Sequence, residues 1–280
     1  MGREYYYYVA GLPSISIEDA KPARDLDAFR QDMKYHIHED DYELVELLFL
    51  PDDRDNLLSL ALNLHKPWKN QGNYPPFVLE DEIKDPQILP EFMKRFLSAV
   101  KEEIPIYPEL SWENQLTTLF YEHVLSSPNA FIREWFEFER NINNLQTALY
   151  CRKNGIPHEK EIVGFDEVSN IIRLSNATDF GVSHMFPYLD KLFQIFENPD
   201  IMERERLVDQ LKWNWIDDRN FFHYFDMDII LGYLAKVMIA ERWQKLKPEL
   251  GKDKFQSILD ELEDSFQFSE DFTLAKKDRI

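Results

Sequence analysis

The chain has 280 residues, and its 52 Asp and Glu outnumber its 32 Lys and Arg, which gives a formal net charge of −20. So acidic a chain lacks the cationic surface that DNA, RNA or anionic lipid requires, and we expect no nucleic-acid partner. Its single cysteine, Cys151, excludes a disulfide within the chain and any zinc site that needs two or more thiolates.

Apolar residues recur at the three- and four-residue spacing of helices along most of the chain. At the start, Tyr5–Ala10 before Gly11 suits a short strand or the first turn of a helix. We favour a helix that packs its tyrosine rings. Amphipathic helices are then predicted over 57–64, 116–124, 135–149, 189–196 and 255–266. Gly155 and Gly251 are predicted to end helices, as glycine often does.

Proline divides the chain into two parts. Eight of the 15 prolines lie between Pro51 and Pro108, and a proline inside a helix costs roughly 3 kcal/mol. We therefore expect residues 1–110 to form short helices joined by extended turns and residues 111–280 to form longer helices. Together they predict one all-α unit.

A short pattern recurs three times. In this pattern an acidic residue is followed by Asn, and each copy is predicted to lead into an apolar helix. The three copies lie at Asp53–Leu57, Phe138–Leu145 and Asp217–Asn220. Helix capping explains such a pattern, because acids favour the start of a helix and cations its end. A weak internal repeat explains it equally.

The sequence offers no pattern of catalytic residues. No two glycines are closer than nine residues, which excludes phosphate-binding loops that need closely spaced glycines. His36 and His38 superficially resemble a metal-ligand pair, but polar residues surround them and we expect an acidic turn instead. Ser183 and His184 lack the rest of a nucleophile motif. We expect no catalytic residue, cofactor or metal.

Several reactive side chains have ordinary explanations. Cys151 lies on a predicted helix, and we expect a structural thiol rather than a nucleophile. Asp217 or Asp218 is predicted to cap a helix, and Asp226 and Asp228 are predicted to lie near a helix start.

Aromatic residues are densest between residues 213 and 225. This segment contains Trp213-Asn214-Trp215 and Phe221-Phe222-His223-Tyr224-Phe225. Such residues form either hydrophobic core or the centre of a partner interface, and the sequence leaves both open.

No apolar stretch approaches the roughly 18 residues that a membrane-spanning helix needs. The best candidate, Ile229 to Ala240, is too short and contains Lys236. Residues 1–5 lack the pattern of a signal peptide. We expect a cytoplasmic protein without direct membrane insertion.

Parts of the sequence nevertheless resemble a known family. The opening Tyr5–Pro13 resembles the start of bacterial DUF2764-type proteins, which are similar to the C-type subunits of V-type (A/V-type) ATP synthases, called d-type subunits in eukaryotic vacuolar ATPases. Asn144-Leu145 with the basic helix end at Arg152-Lys153, then Asn220–Asp226, also resemble C-type subunits. Tyr233–Lys236, Glu241–Trp243 and Gly251–Phe255 extend the similarity in patches.

This resemblance implies a funnel-like or elongated array of helical pseudo-repeats. It implies a non-catalytic central-stalk subunit of a proton- or sodium-translocating ATPase, with the shaft subunits and the membrane rotor ring as partners. The alternative is a helical adaptor that keeps the fold without the ATPase. Since aromatic residues and cations are favoured at interfaces, the first candidates for partner contact are Trp213, Trp215, Arg152 and Lys153.

Overall fold

The computed structural model describes residues 2–17 and 25–245, and these residues form helices without any strand. The described helices are α1 (Tyr6–Ala10), α2 (Leu26–His36), α3 (Glu39–Ala61), α4 (Pro76–Lys84), α5 (Glu91–Glu102), α6 (Trp112–Leu125), α7 (Ala130–Asn154), α8 (Glu167–Leu174), α9 (Leu189–Glu197), α10 (Ile201–Asn220) and α11 (Met227–Lys245). The all-α prediction is confirmed, and so is the helix preferred near the N-terminus. The helix predicted over 255–266 and the helix end at Gly251 lie outside the described residues.

α7 is the longest described helix and holds a central place. Asn129 caps its start by accepting a hydrogen bond from the backbone N–H of Ile132. Gly155 ends it with φ of 65°, a left-handed conformation that costs glycine little, which confirms the predicted helix end. α7 contacts α3, α6, α8 and α11. Helices from both halves of the described chain therefore pack against it.

α3 contradicts the expectation that residues 1–110 contain only short helices. It runs for 23 residues with Pro51 inside it. Proline removes one helical hydrogen bond, but buried residues on both sides, among them Phe49 and Leu57, offset that loss. The helix predicted over 57–64 ends early, at Ala61, because the chain turns at Asn63 with a positive φ. The division at residue 110 stays a prediction.

One hydrophobic core extends from Leu26 in α2 to Ala240 in α11. Both predicted parts contribute to it, since α3 contacts α6, α7 and α11. Each of the three longest described helices contacts the helix before it and the helix after it in the chain. α3 contacts α2 and α4, α7 contacts α6 and α8, and α10 contacts α9 and α11.

The first two copies of the acid–Asn pattern do not open helices, so the prediction is wrong for them, whereas the third copy precedes α11 as predicted. Asp53–Leu57 lies in the second half of α3, Phe138–Leu145 in the middle of α7, and Asp217–Asn220 at the end of α10. Helix capping therefore does not explain the pattern.

The asparagines of this pattern fasten the chain that follows each long helix. Asn144 donates from Nδ2 to the carbonyl of Val163 (2.9 Å) and accepts at Oδ1 from the N–H of the same residue (3.0 Å). Asn56 makes the same pair of bonds to Lys69, at 2.8 and 2.9 Å. We call this paired contact an amide clamp.

At the third position the clamp is half formed. Asn220 donates from Nδ2 to the carbonyl of Asp228, at 3.0 Å. Gly232 permits this approach, because a Cβ at that position would lie 2.1 Å from Asn220 Nδ2. The amide thus links α3 and α7 to the segment that follows through both its donor and its acceptor, and links α10 to α11 through its donor alone, since Asn220 Oδ1 has no hydrogen-bond partner among the described residues.

None of the described helices is both long enough and apolar enough to span a membrane.

Replacing Asn144 with Ala is expected to lower the free energy of unfolding by about 3 kcal/mol. The change leaves the buried N–H and C=O of Val163 without their partners, and each unsatisfied buried group costs roughly 1–3 kcal/mol. Urea unfolding followed by circular dichroism measures the loss. The neighbour Asn143 is the matched control: it is exposed, its one described bond is to the Tyr121 hydroxyl, and Asn143→Ala should cost less than about 1 kcal/mol. Equal losses in the two variants would show that the clamp adds nothing.

Candidate functional site

The structure divides the aromatic segment between core and surface. Trp213 is buried, with 6% of its surface exposed, and Trp215 is half-buried. The ring of Trp215 stacks on Phe138, with centroids 4.9 Å apart, and lies 5.6 Å from Trp135. Trp215 therefore helps to join α10 to α7, whereas Trp213 faces α11, where the ammonium of Lys236 lies 5.0 Å from its ring centre.

The turn between α10 and α11 instead holds its aromatic rings in solvent. Phe222 is 81% exposed, Phe221 69% and Tyr224 66%. The rings of Phe221 and Phe222 meet edge to face at 4.9 Å. Large apolar side chains so exposed and so close together are typical of a surface that contacts another molecule.

The N-terminal segment joins this turn. The backbone N–H of Tyr5 donates to the carbonyl of Phe225, and the ring of Tyr6 lies 4.7 Å from that of Phe225. The resulting surface, which we call the aromatic surface, consists of Tyr6, Phe221, Phe222, Tyr224 and Phe225. Its two parts come from opposite ends of the described chain.

A hydrogen-bonded imidazole fixes the turn from within. Arg219 donates to His223 Nε2 (2.7 Å), and a guanidinium can only donate, so the proton of a neutral His223 is on Nδ1. That Nδ1–H then donates to Asp226 Oδ2 at 2.6 Å. The other carboxylate oxygen of Asp226 accepts from the N–H of Ile229 and caps the start of α11.

Asp228 ties the same turn to α7. It accepts from Asn129, which caps α7, at 2.9 Å, and from Arg219 at 3.2 Å. Arg219 also pairs with Glu134 on α7. The prediction that Asp226 and Asp228 lie near a helix start is confirmed, and the aromatic surface rests on a rigid base.

Asp217 and Asp218, in contrast, cap no helix start. They lie near the end of α10, where Asp217 pairs with Lys236 of α11 and Asp218 is exposed. The capping prediction is wrong for these two residues, because Asp200 performs that role for α10.

Carboxylates surround the aromatic surface. Glu4 accepts from the hydroxyl of Tyr6, and Asp218 is exposed one helical turn before Phe222. Arg3 forms ion pairs with Asp40 and Asp41 at the start of α3. The edge of the aromatic surface, which we call the rim, is therefore acidic, because Glu4 and Asp218 are exposed there and Arg3 is already paired.

The four residues first considered for partner contact do not come together. Trp213 and Trp215 lie against α7 and α11, whereas Arg152 and Lys153 lie at the C-terminal end of α7. Arg152 donates to the carbonyls of Ala177 and Thr178, and its guanidinium lies 3.7 Å from the ring centre of Phe180.

Lys153 is exposed. A partner-contact role for these four residues stays a prediction, although Trp213 offers little surface to a partner.

The two histidines considered as metal ligands have other contacts. His36 ends α2 and lies between the rings of Tyr8 and Tyr35. His38 caps α3 by accepting from the N–H of Asp40 at Nδ1. Among residues 2–17 and 25–245, no group of three or more His, Cys, Asp or Glu is placed to hold a metal ion.

Ser183 and His184 are both exposed in the connection between α8 and α9. The Ser183 hydroxyl donates to Asp179, and that bond is the main cause that lowers the pKa of the Asp179 carboxyl. The serine is thus engaged with a carboxylate.

A cleft of about 260 Å³ lies beside the aromatic surface, between α1, α2 and α11. Its walls are mainly aromatic, including Tyr7, Phe29 and Tyr233, with the carboxylate of Asp32 and the imidazole of His36 as polar groups. Tyr7 is 98% exposed and therefore lies at the mouth of the cleft.

The family described as "Protein of unknown function (DUF2764)" matches residues 2–266. The chain belongs to this family. No curated protein and no solved structure matches the chain. The resemblance to DUF2764 proteins is thereby confirmed, whereas the resemblance to V-type ATPase subunits stays a prediction.

Sequence reasoning identifies the aromatic segment but not which of its rings are exposed, nor their contact with the N-terminal tyrosines. The sequence does carry one sign that these rings are exposed. In the run Phe221–Phe225 the aromatic residues do not follow the three-to-four spacing of a buried helix face. The His223–Asp226 contact follows only from the fold of the turn.

Replacing Trp213 with Ala is expected to lower the free energy of unfolding by about 4 kcal/mol, since it removes a buried ring and leaves a cavity. Phe222→Ala serves as its counterpart in the same segment and should change that free energy by less than about 0.5 kcal/mol. Urea unfolding of both variants tests the assignment. Similar losses would mean that Phe222 belongs to the core as well.

Cys151 is expected to be inert in the folded protein. It is fully buried on α7, and burial raises the pKa of its thiol to about 12, so almost no thiolate exists at pH 8. Ellman's reagent should detect no thiol in the native protein and one after unfolding in guanidinium, a signal that Cys151→Ser removes. Rapid reaction of the native protein would show that the thiol is accessible.

Proposed function

We propose that this chain is a non-catalytic central-stalk subunit of a V-type proton- or sodium-translocating ATPase, similar to the C-type subunits, and that it couples the rotor shaft to the membrane ring. In this role it binds other subunits and transmits torque, and it is attached to the membrane only through the complex. It has no catalytic residue, cofactor or metal of its own in this proposal.

The recurrence of the amide clamp carries the proposal. Asn56, Asn144 and Asn220 belong to long helices, α3, α7 and α10, and each bonds the backbone of the segment that follows. Each long helix also contacts the helix before it and the helix after it. A recurring contact from a long helix to the segment after it is what a chain of helical pseudo-repeats would retain, and such repeats are what the resemblance to C-type subunits implies.

Rigid connections between the later helices support a mechanical role. Lys212 of α10 pairs with Glu139 of α7 at 2.7 Å. Asp209, which is almost fully buried, accepts from Arg242 and from the indole N–H of Trp243 on α11. Burial makes these contacts costly to break, because a separated partner would remain as an uncompensated charge. These contacts link α10 to α7 and to α11, which a subunit that transmits torque requires.

The runner-up is a helical adaptor that binds other proteins outside an ATPase. The exposed aromatic surface favours it as much as it favours a stalk subunit, since both must bind a partner. The two functions differ in which proteins are bound.

The proposal predicts that the tagged chain, isolated from gently solubilised native cells, brings the catalytic, shaft and ring subunits of a V-type ATPase with it in fixed proportion. Mass spectrometry of the isolated material identifies them. An acidic helical protein of the same cells with the same tag is the control for charge-driven adsorption. Recovery of other proteins in stoichiometric amounts, without ATPase subunits, would establish the adaptor function instead.

A further inference from the structure

The five rings of the aromatic surface are between 38% and 81% exposed in the described part of the chain. Three of them, Phe221, Phe222 and Tyr224, are each more than 60% exposed. Burying such rings contributes strongly to association, and aromatic residues are enriched where proteins bind one another.

The surface is also held in one shape before any partner arrives. Arg219, His223 and Asp226 form a continuous chain of hydrogen bonds under the turn, and Asp228 fastens it to Asn129. A preformed surface loses less conformational entropy on binding than a flexible loop does. The rings are therefore positioned for docking and are not simply loose ends of a turn.

Charge identifies the kind of partner that fits. The exposed carboxylates of Glu4 and Asp218 border the rings, while the nearby cations Arg3 and Arg219 are already paired with carboxylates. A partner that places Lys or Arg around an apolar patch complements this rim.

The same charges disfavour two other occupants. A second copy of this chain carries the same net charge of −20 and presents the same acidic rim, so the two surfaces repel. An anionic bilayer has a negative surface potential that repels the rim as well. Within a rotary ATPase, these two considerations favour a soluble subunit over the lipid that surrounds the ring.

We propose that the aromatic surface is the docking site for the central shaft, and that it receives an apolar helix face of the shaft flanked by Lys or Arg. This inference rests on the proposed function. Phe221, Phe222 and Tyr224 enter the interface, and Glu4 and Asp218 pair with the cations beside it.

The test is a binding titration of the full chain with the purified shaft subunits of the V-type ATPase from the same cells, by calorimetry. The double variant Phe222→Ala/Tyr224→Ala should weaken binding by about ten-fold or more, because exposed rings at an interface centre carry much of its affinity. Phe77→Ala is the matched control, since Phe77 is 67% exposed but lies on α4, away from the turn. It should bind as tightly as the unaltered chain.

The acidic rim has its own variant, Glu4→Gln/Asp218→Asn. Gln still accepts from the Tyr6 hydroxyl, and Asp218 is exposed, so the fold remains intact, which circular dichroism verifies. Binding of the unaltered chain should weaken when salt rises from about 50 to about 500 mM, and the rim variant should show a smaller dependence on salt.

The outcomes separate this inference from the proposed function. If the shaft binds the unaltered chain and the aromatic double variant equally well, the docking site lies elsewhere and the inference fails while the proposed function stands. If the shaft does not bind at all, both fail. Loss of dimerisation, or of binding to vesicles that contain anionic lipid, in Phe222→Ala/Tyr224→Ala with unchanged shaft binding would assign the surface to a second copy or to a membrane.

Discussion

A buried side-chain amide in the middle of a helix needs both a donor and an acceptor, and much of this fold follows from where Asn144 finds them. It bonds both backbone groups of Val163, which brings the segment after α7 back along the helix that precedes it. α8 then lies against α7, and Arg140 pairs with Asp166 in the space between them. Because α7 contacts helices from both ends of the chain, the placement of this one segment affects the whole core.

The surface and the core of this protein use aromatic rings for different purposes within a few residues of each other. Trp213 and Trp215 join helices, whereas the rings that follow are held outward by a network of charged groups. Exposing apolar rings costs stability in isolation, and the part-buried contacts of Arg219, His223 and Asp226 hold the turn that carries them.

Much of the fold can be predicted from the sequence because helical spacing is a local signal. The stripe from Leu116 to Val124 and the end of α7 at Gly155 are correctly located by spacing and by glycine's tolerance of a left-handed conformation. Pro51 misleads the prediction, because its cost is local whereas the burial that offsets it is tertiary.

The candidate site is harder to predict, since its two parts, the N-terminal tyrosines and the turn after α10, are distant in sequence. The acid–Asn pattern is visible in the sequence but is assigned to helix starts, since capping is the commonest role of such residues and the clamp depends on a loop far along the chain. The same reason hides the contact between Tyr6 and Phe225.

The bond between Tyr5 and Phe225 also sets the order in which the molecule can mature. During synthesis the first tyrosines leave the ribosome many seconds before the turn after α10 does, since translation adds roughly 5–20 residues per second. The two halves of the aromatic surface therefore meet only when nearly the whole described chain has emerged. A chain that stalls before Phe225 lacks the complete surface, so the proposed docking would take place only with chains synthesised beyond this residue.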